Sequence, residues 1–209
     1  MGVVSILHPK GGASASVPAS LQPRLGLWLG VHLVQLVLVG LLGLTIWTLV
    51  EGRLGKAAVA CRLAIPAFLV FYSAFDSVVG LGTGVLVSEA QRITGGEQAG
   101  THQLIEDYWL GQYNPAGPAF YVYAIVIGLA ELSWLVAVGS AALSLQRGGE
   151  NRMSAALLVL AGILFALGHP FPTGTAAMAC LLAAVVLLER AAQGRAVRDR
   201  SQIVTSSGP

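Results

Sequence analysis

The chain has 209 residues and a formal net charge of +2, and 55% of its residues are hydrophobic while only 11% are charged. Soluble domains carry about 25% charged residues, so this chain has too few polar side chains to cover a water-exposed surface. The composition predicts one integral membrane domain. Because no basic patch with interleaved aromatic residues occurs, nucleic acid is not expected as a partner.

The two ends of the chain are predicted to be disordered tails. Residues 1–24 contain no apolar core before Leu25, so they are not expected to be a secretory signal peptide, and residues 11–20 are rich in Gly, Ala and Ser. Residues 191–209 are predicted to form the second tail, on the opposite side of the membrane.

Long apolar runs lie between these tails. A helix needs about 20 apolar residues to cross a hydrocarbon core of about 30 Å, and its backbone groups must be satisfied within the helix there. We therefore predict an all-α polytopic membrane helix bundle of about five transmembrane helices, occupying residues 25–190, with one short interfacial helix in an outer loop. The predicted spans are residues 25–50, 63–87, 119–145, 153–168 and 172–189, and the outer loop is residues 88–118.

The last apolar region, residues 153–188, allows two interpretations. It contains no charged residue and is interrupted by Pro170, Pro172 and Gly174, which should end a helix. The region forms either two short spans joined by a tight turn or a re-entrant hairpin that does not fully cross. In both cases the chain returns to the side from which it came.

The distribution of Lys and Arg predicts the orientation. Three such residues, Lys10, Arg24 and Arg92, lie on one side of the predicted membrane, and nine lie on the other, namely Arg53, Lys56, Arg62, Arg147, Arg152, Arg190, Arg195, Arg198 and Arg200. The more basic side of a membrane protein usually faces the cytoplasm. We expect a multi-pass protein of the cell membrane with its N-terminus outside and its C-terminus in the cytoplasm.

Within the outer loop, one stripe of apolar and aromatic side chains predicts the interfacial helix. Leu104, Ile105, Tyr108 and Trp109 share one helical face, and Tyr and Trp favour the membrane interface. This helix should lie on the outer end of the bundle, either as an anchored loop or as a lid over an entrance from the lipid.

A few polar residues inside the spans mark the candidate site. An ionisable residue in a span costs about 2.5–3.5 kcal/mol, so it is expected to turn away from lipid. Asp76 and Glu131 are the candidate proton donors or acceptors, at depths of about 16 and 18 Å from the outer end, and His32 lies at about 10 Å. The candidate binding residues around them are His32, Gln35, Tyr72, Trp134 and His169.

Helical spacing predicts the directions of both carboxyl groups. One face of the second span is small and polar, comprising Ser73, Asp76, Ser77, Gly80 and Gly84. The two glycines permit close approach of another helix, so Asp76 should face protein, with Tyr72 one turn away as a hydrogen-bond donor. By the same spacing, Glu131 shares a face with Gly128 and Trp134.

Other interpretations of these residues are open. The carboxyl groups could serve only to hydrogen-bond neighbouring helices. His32 and His169 could ligate a haem, but two histidines without a further motif are a weak signal, and no metal or cofactor is predicted. Cys61 and Cys180 are expected to be small apolar residues in the bundle, and residues 80–84 lack the lysine of a phosphate-binding loop.

The sequence favours a small membrane protein with an outward-facing protonatable pocket that acts on or binds a hydrophobic ligand, either a lipid or an isoprenoid. Two alternatives are kept. One is a membrane-embedded acid/base enzyme of the terpene cyclase or isomerase type, in which Asp76 or Glu131 protonates the substrate. The other is a non-catalytic accessory subunit or a proton-coupled transporter. The expected partners are membrane lipid, a hydrophobic small molecule, and a second copy or another membrane subunit.

Overall fold

The computed structural model describes residues 16–111, 115–168 and 172–206, and all regular secondary structure within these ranges is helical. The elements in chain order are α1 (Val17–Leu21), a 3₁₀ turn (Gln22–Arg24), α2 (Leu25–Leu49), α3 (Lys56–Phe75), a π-helical segment (Asp76–Gly82, the π segment), α4 (Thr83–Ala90), α5 (Gly96–Gly111), α6 (Pro118–Arg147), α7 (Arg152–Ala166) and α8 (Thr173–Ser206).

By length and composition, four helical stretches of the described residues can cross a membrane. They are Val17–Leu49, Lys56–Ala90, Ala119–Arg147 and Thr173–Arg195, and α7 is a shorter apolar helix beside them. The predicted all-α membrane bundle is therefore confirmed. The second stretch is longer than the predicted span 63–87, because the π segment and α4 continue α3 without a break.

The region after residue 152 forms a helical hairpin. The 15 residues of α7 rise only about 22 Å, less than the hydrocarbon core, whereas α8 is long enough to cross. The guanidinium of Arg195 in α8 pairs with Glu150, just before α7 begins. The chain therefore returns to the end from which α7 started, as both sequence interpretations required. Residues 169–171 lie outside the described ranges.

Parts of both predicted tails are helical. The hydroxyl of Ser16 accepts a hydrogen bond from the Ala19 N–H at the start of α1, and Leu21 is buried in an apolar cluster at that end of the bundle. At the other terminus, residues 191–206 continue α8, because Ala, Arg and Gln are good helix formers. Residues 17–24 and 191–206, which the sequence places in the two tails, are therefore helical, and residues 1–15 and 207–209 lie outside the described ranges.

Helix α2 is apolar on all sides, so hydropathy alone does not define its packing face. The buried residues recur every three or four positions, at Trp28, Val31, His32, Gln35, Val39, Leu42 and Ile46. Leu33 and Val37 on the opposite side are exposed and suit contact with lipid. The two polar residues His32 and Gln35 therefore mark the inward face, as expected for polar groups in a span.

Four aromatic side chains from three helices fill the centre of the bundle. Trp134 of α6 packs against Phe68 of α3 with ring centroids 4.9 Å apart, and against Phe165 of α7 at 5.2 Å. Tyr72 of α3 contacts Phe165 at 5.9 Å. The indole N–H of Trp134 donates to the Gly162 carbonyl at 3.2 Å. Such ring pairs each add about 0.5–1.5 kcal/mol beyond their buried area, so this cluster joins α3, α6 and α7.

Helix α5 covers the end of the bundle at which α2 begins. Ile105 is fully buried there, and Trp109 lies 6.1 Å from Trp28 between ring centroids. The Tyr108 hydroxyl donates to the Val78 carbonyl at 3.4 Å, whereas Leu104 is exposed. Most of the predicted stripe therefore packs on protein, and this end is called the capped end below.

At the opposite end of the bundle, called the basic end, one carboxylate joins segments from three parts of the chain. Glu150, in the turn between α6 and α7, lies 2.9 Å from the guanidinium of Arg53 in the α2–α3 connection. It also lies 2.9 Å from the guanidinium of Arg195 in α8. The α2–α3 connection, the α6–α7 turn and the later part of α8 are distant in sequence and meet at this end of the bundle. The sequence predicts all three on the side of the membrane that carries nine Lys and Arg residues.

We expect Glu150→Gln to lower the free energy of unfolding by about 1 kcal/mol at neutral pH, the scale of a partly exposed ion-pair network. Burial alone would raise the pKa of Glu150, but the hydrogen bonds and charges of Arg195 and Arg53 outweigh it and hold that pKa below its usual 4.5. This stabilisation is therefore present above the usual pKa and is lost as the pH falls through the lowered one.

Unfolding by denaturant at neutral and acidic pH, followed by circular dichroism, measures this effect. Glu51→Gln, on an exposed carboxyl at the same end, is the control. The assignment is wrong if both variants lose equal stability, or if the loss in Glu150→Gln persists in acid.

Candidate functional site

Four polar side chains, His32, Gln35, Tyr72 and Asp76, form a hydrogen-bonded group inside the bundle, called the polar cluster below. Asp76 Oδ1 lies 2.7 Å from His32 Nδ1 and accepts from Gln35 Nε2 at 3.1 Å. Gln35 Nε2 also donates to the Tyr72 hydroxyl at 2.7 Å. All four side chains are buried, and Asp76 is only 1% exposed.

Helical spacing and close backbone contact bring these side chains together. His32 and Gln35 are three residues apart on α2, and Tyr72 and Asp76 are four apart where α3 passes into the π segment, so each pair lies on one helical face. Gly80 provides the space for His32, since a Cβ at this position would overlap the imidazole ring. Of the small polar face predicted from the sequence, Asp76, Gly80 and Gly84 lie against α2, whereas Ser77 is exposed.

Hydrogen bonds from two other elements hold the π segment. The indole N–H of Trp28 donates to the Gly80 carbonyl at 2.6 Å, and the Tyr108 hydroxyl donates to the Val78 carbonyl. A π-helix widens the backbone and disturbs the ordinary hydrogen-bond ladder, and such segments are frequent at functional sites. Here the widened turn follows Asp76 directly and lies against His32.

The chemistry available to the polar cluster is sharing of a proton. Asp76 Oδ1 and His32 Nδ1 lie 2.7 Å apart, so one proton can lie between them and leave no unpaired buried charge. Among the described residues no group hydrogen-bonds Asp76 Oδ2, which leaves an acceptor position inside the bundle.

Glu131 lies apart from the polar cluster. It is exposed on the surface of α6, whereas Trp134, expected to share its face, is buried. Glu131 lines a pocket of about 40 Å³ together with Tyr72, Trp134 and Phe165, called the aromatic pocket below. This volume holds no more than a few water molecules. Asp76 does not line the pocket, and Tyr72 stands between the two carboxyl groups.

The other side of the π segment lines a groove of about 120 Å³, called the lateral groove. Its walls are almost entirely apolar and come from Ala74, Phe75, Val78, Val79, Val122, Tyr123 and Val126. Val78 is 53% and Val122 63% exposed, so the groove opens on the exposed surface of the bundle. One short segment of chain therefore faces the polar cluster on one side and an apolar opening on the other.

The structure brings together four of the seven residues predicted for the site, those of the polar cluster. Trp134 and Glu131 lie at the aromatic pocket, and His169 lies outside the described residues. Sequence reasoning missed Trp28, whose ring packs at a tilt against that of His32 with ring centroids 4.4 Å apart. Its signal was the four-residue spacing from His32 on α2. Within the described ranges no group of three or more His, Cys, Asp or Glu residues is placed to hold a metal ion.

A scan against protein-family models, a search of curated proteins and a search of solved structures each find no significant match to this chain. The chemistry of the site is therefore inferred from the geometry of its own residues.

Gly80→Ala should destabilise the bundle by about 1–3 kcal/mol, the cost of forcing extra volume into a packed interior, because the new methyl group overlaps His32. Gly40→Ala is the matched control, since a Cβ there meets nothing within 4 Å. Denaturant unfolding followed by circular dichroism measures both. Equal effects of the two substitutions would contradict the close packing of the π segment on His32.

Proposed function

We propose that this protein binds a hydrophobic ligand, a lipid or isoprenoid chain, from the bilayer and couples its binding to proton exchange at Asp76 and His32. The observation that carries the proposal is the double role of residues 74–79. They place Asp76 against His32 on the inner side and line the lateral groove on the outer side. A ligand that displaces this segment separates Asp76 from His32, so the proton that lies between them passes to the solution and returns when the ligand leaves.

The lateral groove has room for part of an acyl or isoprenoid chain but not for a whole lipid molecule. Pockets for drug-sized ligands usually measure about 300–1,000 Å³, and the groove has about 120 Å³. Its lining favours an isoprenoid end or an acyl segment, while the rest of the molecule stays in the bilayer. This argues for reversible binding over the acid/base enzyme, because neither Asp76 nor Glu131 lines the groove.

Proton access is expected through the aromatic pocket. Glu131 lies exposed at this pocket, and Tyr72 both lines the pocket and accepts a hydrogen bond from Gln35 in the polar cluster. Chains of carboxylates and histidines conduct protons in membrane proteins. In this proposal Glu131 takes up the proton, Tyr72 passes it towards the polar cluster, and the pair of Asp76 and His32 holds it. By the distribution of Lys and Arg, the site lies in the outer half of the membrane.

Photolabelling with a diazirine-bearing long-chain alcohol in lipid vesicles tests the binding site. Val126→Trp fills the groove and should lower labelling about tenfold, the effect of obstructing an apolar pocket by one or two kcal/mol. Leu132→Trp, exposed elsewhere on α6, is the control. In weakly buffered solution with an indicator dye, Asp76→Asn should keep the labelling and abolish the proton exchange that follows it.

Two results would overturn the proposal. Equal labelling of Val126→Trp, Leu132→Trp and the unaltered protein would show that the groove is not the site. Unchanged proton exchange in Asp76→Asn would separate the polar cluster from ligand binding.

A second candidate function, that of a subunit in a membrane assembly, is favoured by the exposure of Glu131. A carboxyl group in the apolar stretch of α6 that faced lipid would cost about 2.5–3.5 kcal/mol, and a hydrogen bond from a second helix would offset this cost. The partner would be a second copy of the chain or another membrane subunit, packed on this face of α6.

Energy transfer between two labelled populations in diluted vesicles tests self-association. Under the second candidate, Glu131→Leu should lower the transfer about fivefold or more, because an interhelical hydrogen bond is worth about 1–2 kcal/mol. Glu189→Leu, on an exposed carboxyl of α8, is the control. Transfer that is absent from the unaltered protein, or equal in both variants, would exclude a homo-oligomer built on Glu131.

A further inference from the structure

A separate cavity of about 270 Å³ lies at the basic end, between the α2–α3 connection and the end of α6. Its lining includes Arg53, Leu54, Gly55, Ser144 and Arg147, and none of these residues belongs to the polar cluster or to the lateral groove. The cavity is larger than the aromatic pocket and the lateral groove, and the function proposed above does not use it.

The cavity carries positive charge. Among the described residues no carboxylate pairs with Arg147, which is exposed at the cavity. Arg53 shares the single carboxylate Glu150 with Arg195, so that network keeps a net positive charge. Lys56 begins α3 directly beside the lining residue Gly55. The chemistry around the cavity therefore selects an anion.

Hydrogen-bond donors supplement this charge. The α3 N-cap residue is Gly55, which has no side chain that could cap the N–H groups of the first turn. Gly55 and Ala57 both line the cavity, so the first turn of α3 borders it, and N–H groups in such a position favour phosphate-like anions. The Ser144 side chain, which is more than nine-tenths buried, lines the opposite wall.

Leu54 indicates that the anion is attached to a lipid. This residue is 95% exposed and yet lines the same cavity. The cavity also lies where two apolar stretches, Val17–Leu49 and Ala119–Arg147, reach the end of the bundle. An exposed leucine beside arginines, at the ends of spans, matches a headgroup whose chains continue into the bilayer. Basic pockets between transmembrane helices commonly bind anionic headgroups.

We propose that this cavity binds the phosphate headgroup of an anionic membrane phospholipid, with Arg147 and Arg53 as its cationic contacts and Leu54 against the start of the acyl chains.

Native mass spectrometry of the full-length protein in detergent, titrated with phosphatidylglycerol or phosphatidylcholine, tests this site. The protein should retain phosphatidylglycerol preferentially. Arg147→Gln should weaken this binding about fivefold, the effect of one basic side chain near a membrane surface. Arg152→Gln removes a charge at the same end from a residue that does not line the cavity, and it should leave the binding unchanged. Both residues are exposed, and the helical circular dichroism of both variants should match that of the unaltered protein.

Three outcomes would overturn the inference. Equal binding of the two lipids would remove the selectivity for an anion. Equal losses in Arg147→Gln and Arg152→Gln would reduce the effect to general surface charge. Displacement of bound phosphatidylglycerol by an equal concentration of inorganic phosphate would assign the cavity to a free anion in place of a lipid.

Discussion

The contact between Asp76 and His32 is the constraint on which the arrangement of α2 and the second membrane stretch depends. Each group alone would be an uncompensated buried charge or an unsatisfied polar atom, and breaking such a pair costs about 3–5 kcal/mol. Their 2.7 Å separation requires the two helices to lie close together. That approach requires Gly80 under the imidazole ring, and Trp28 then reaches the widened backbone of the π segment. The polar cluster therefore sets how closely α2 packs against the π segment.

Much of this could be predicted from particular residues. The small polar face around Asp76 indicated its direction, and the estimated depths predicted His32 and Asp76 in the same half of the membrane. The energetic cost of burying a polar group in an apolar helix makes such predictions strong, because few alternatives satisfy it. The break between α7 and α8 followed in the same way from the prolines near residue 170.

The features that sequence reasoning did not predict also have physical explanations. Positions three apart on a helix differ by about 60° around its axis. Trp134 can therefore be buried while Glu131, predicted to share its face, is exposed on the surface of α6. The π segment has no distinct sequence signal, since glycines at 80 and 82 suit a close helix crossing equally well. The helical residues 17–24 depend on burial of Leu21 in the cluster at the capped end. This is a contact between distant parts of the chain that local composition does not encode.

The ion pairs of Glu150 have a consequence for biogenesis. Arg53 is synthesised long before Glu150, and Arg195 is added only when the last membrane stretch is nearly complete. During insertion from the N-terminus, Glu150 therefore has one partner at first and gains its second when α8 docks. The complete network therefore forms only after every spanning helix has been inserted. A chain that ends before Arg195 lacks one of the two ion pairs of Glu150 at the basic end.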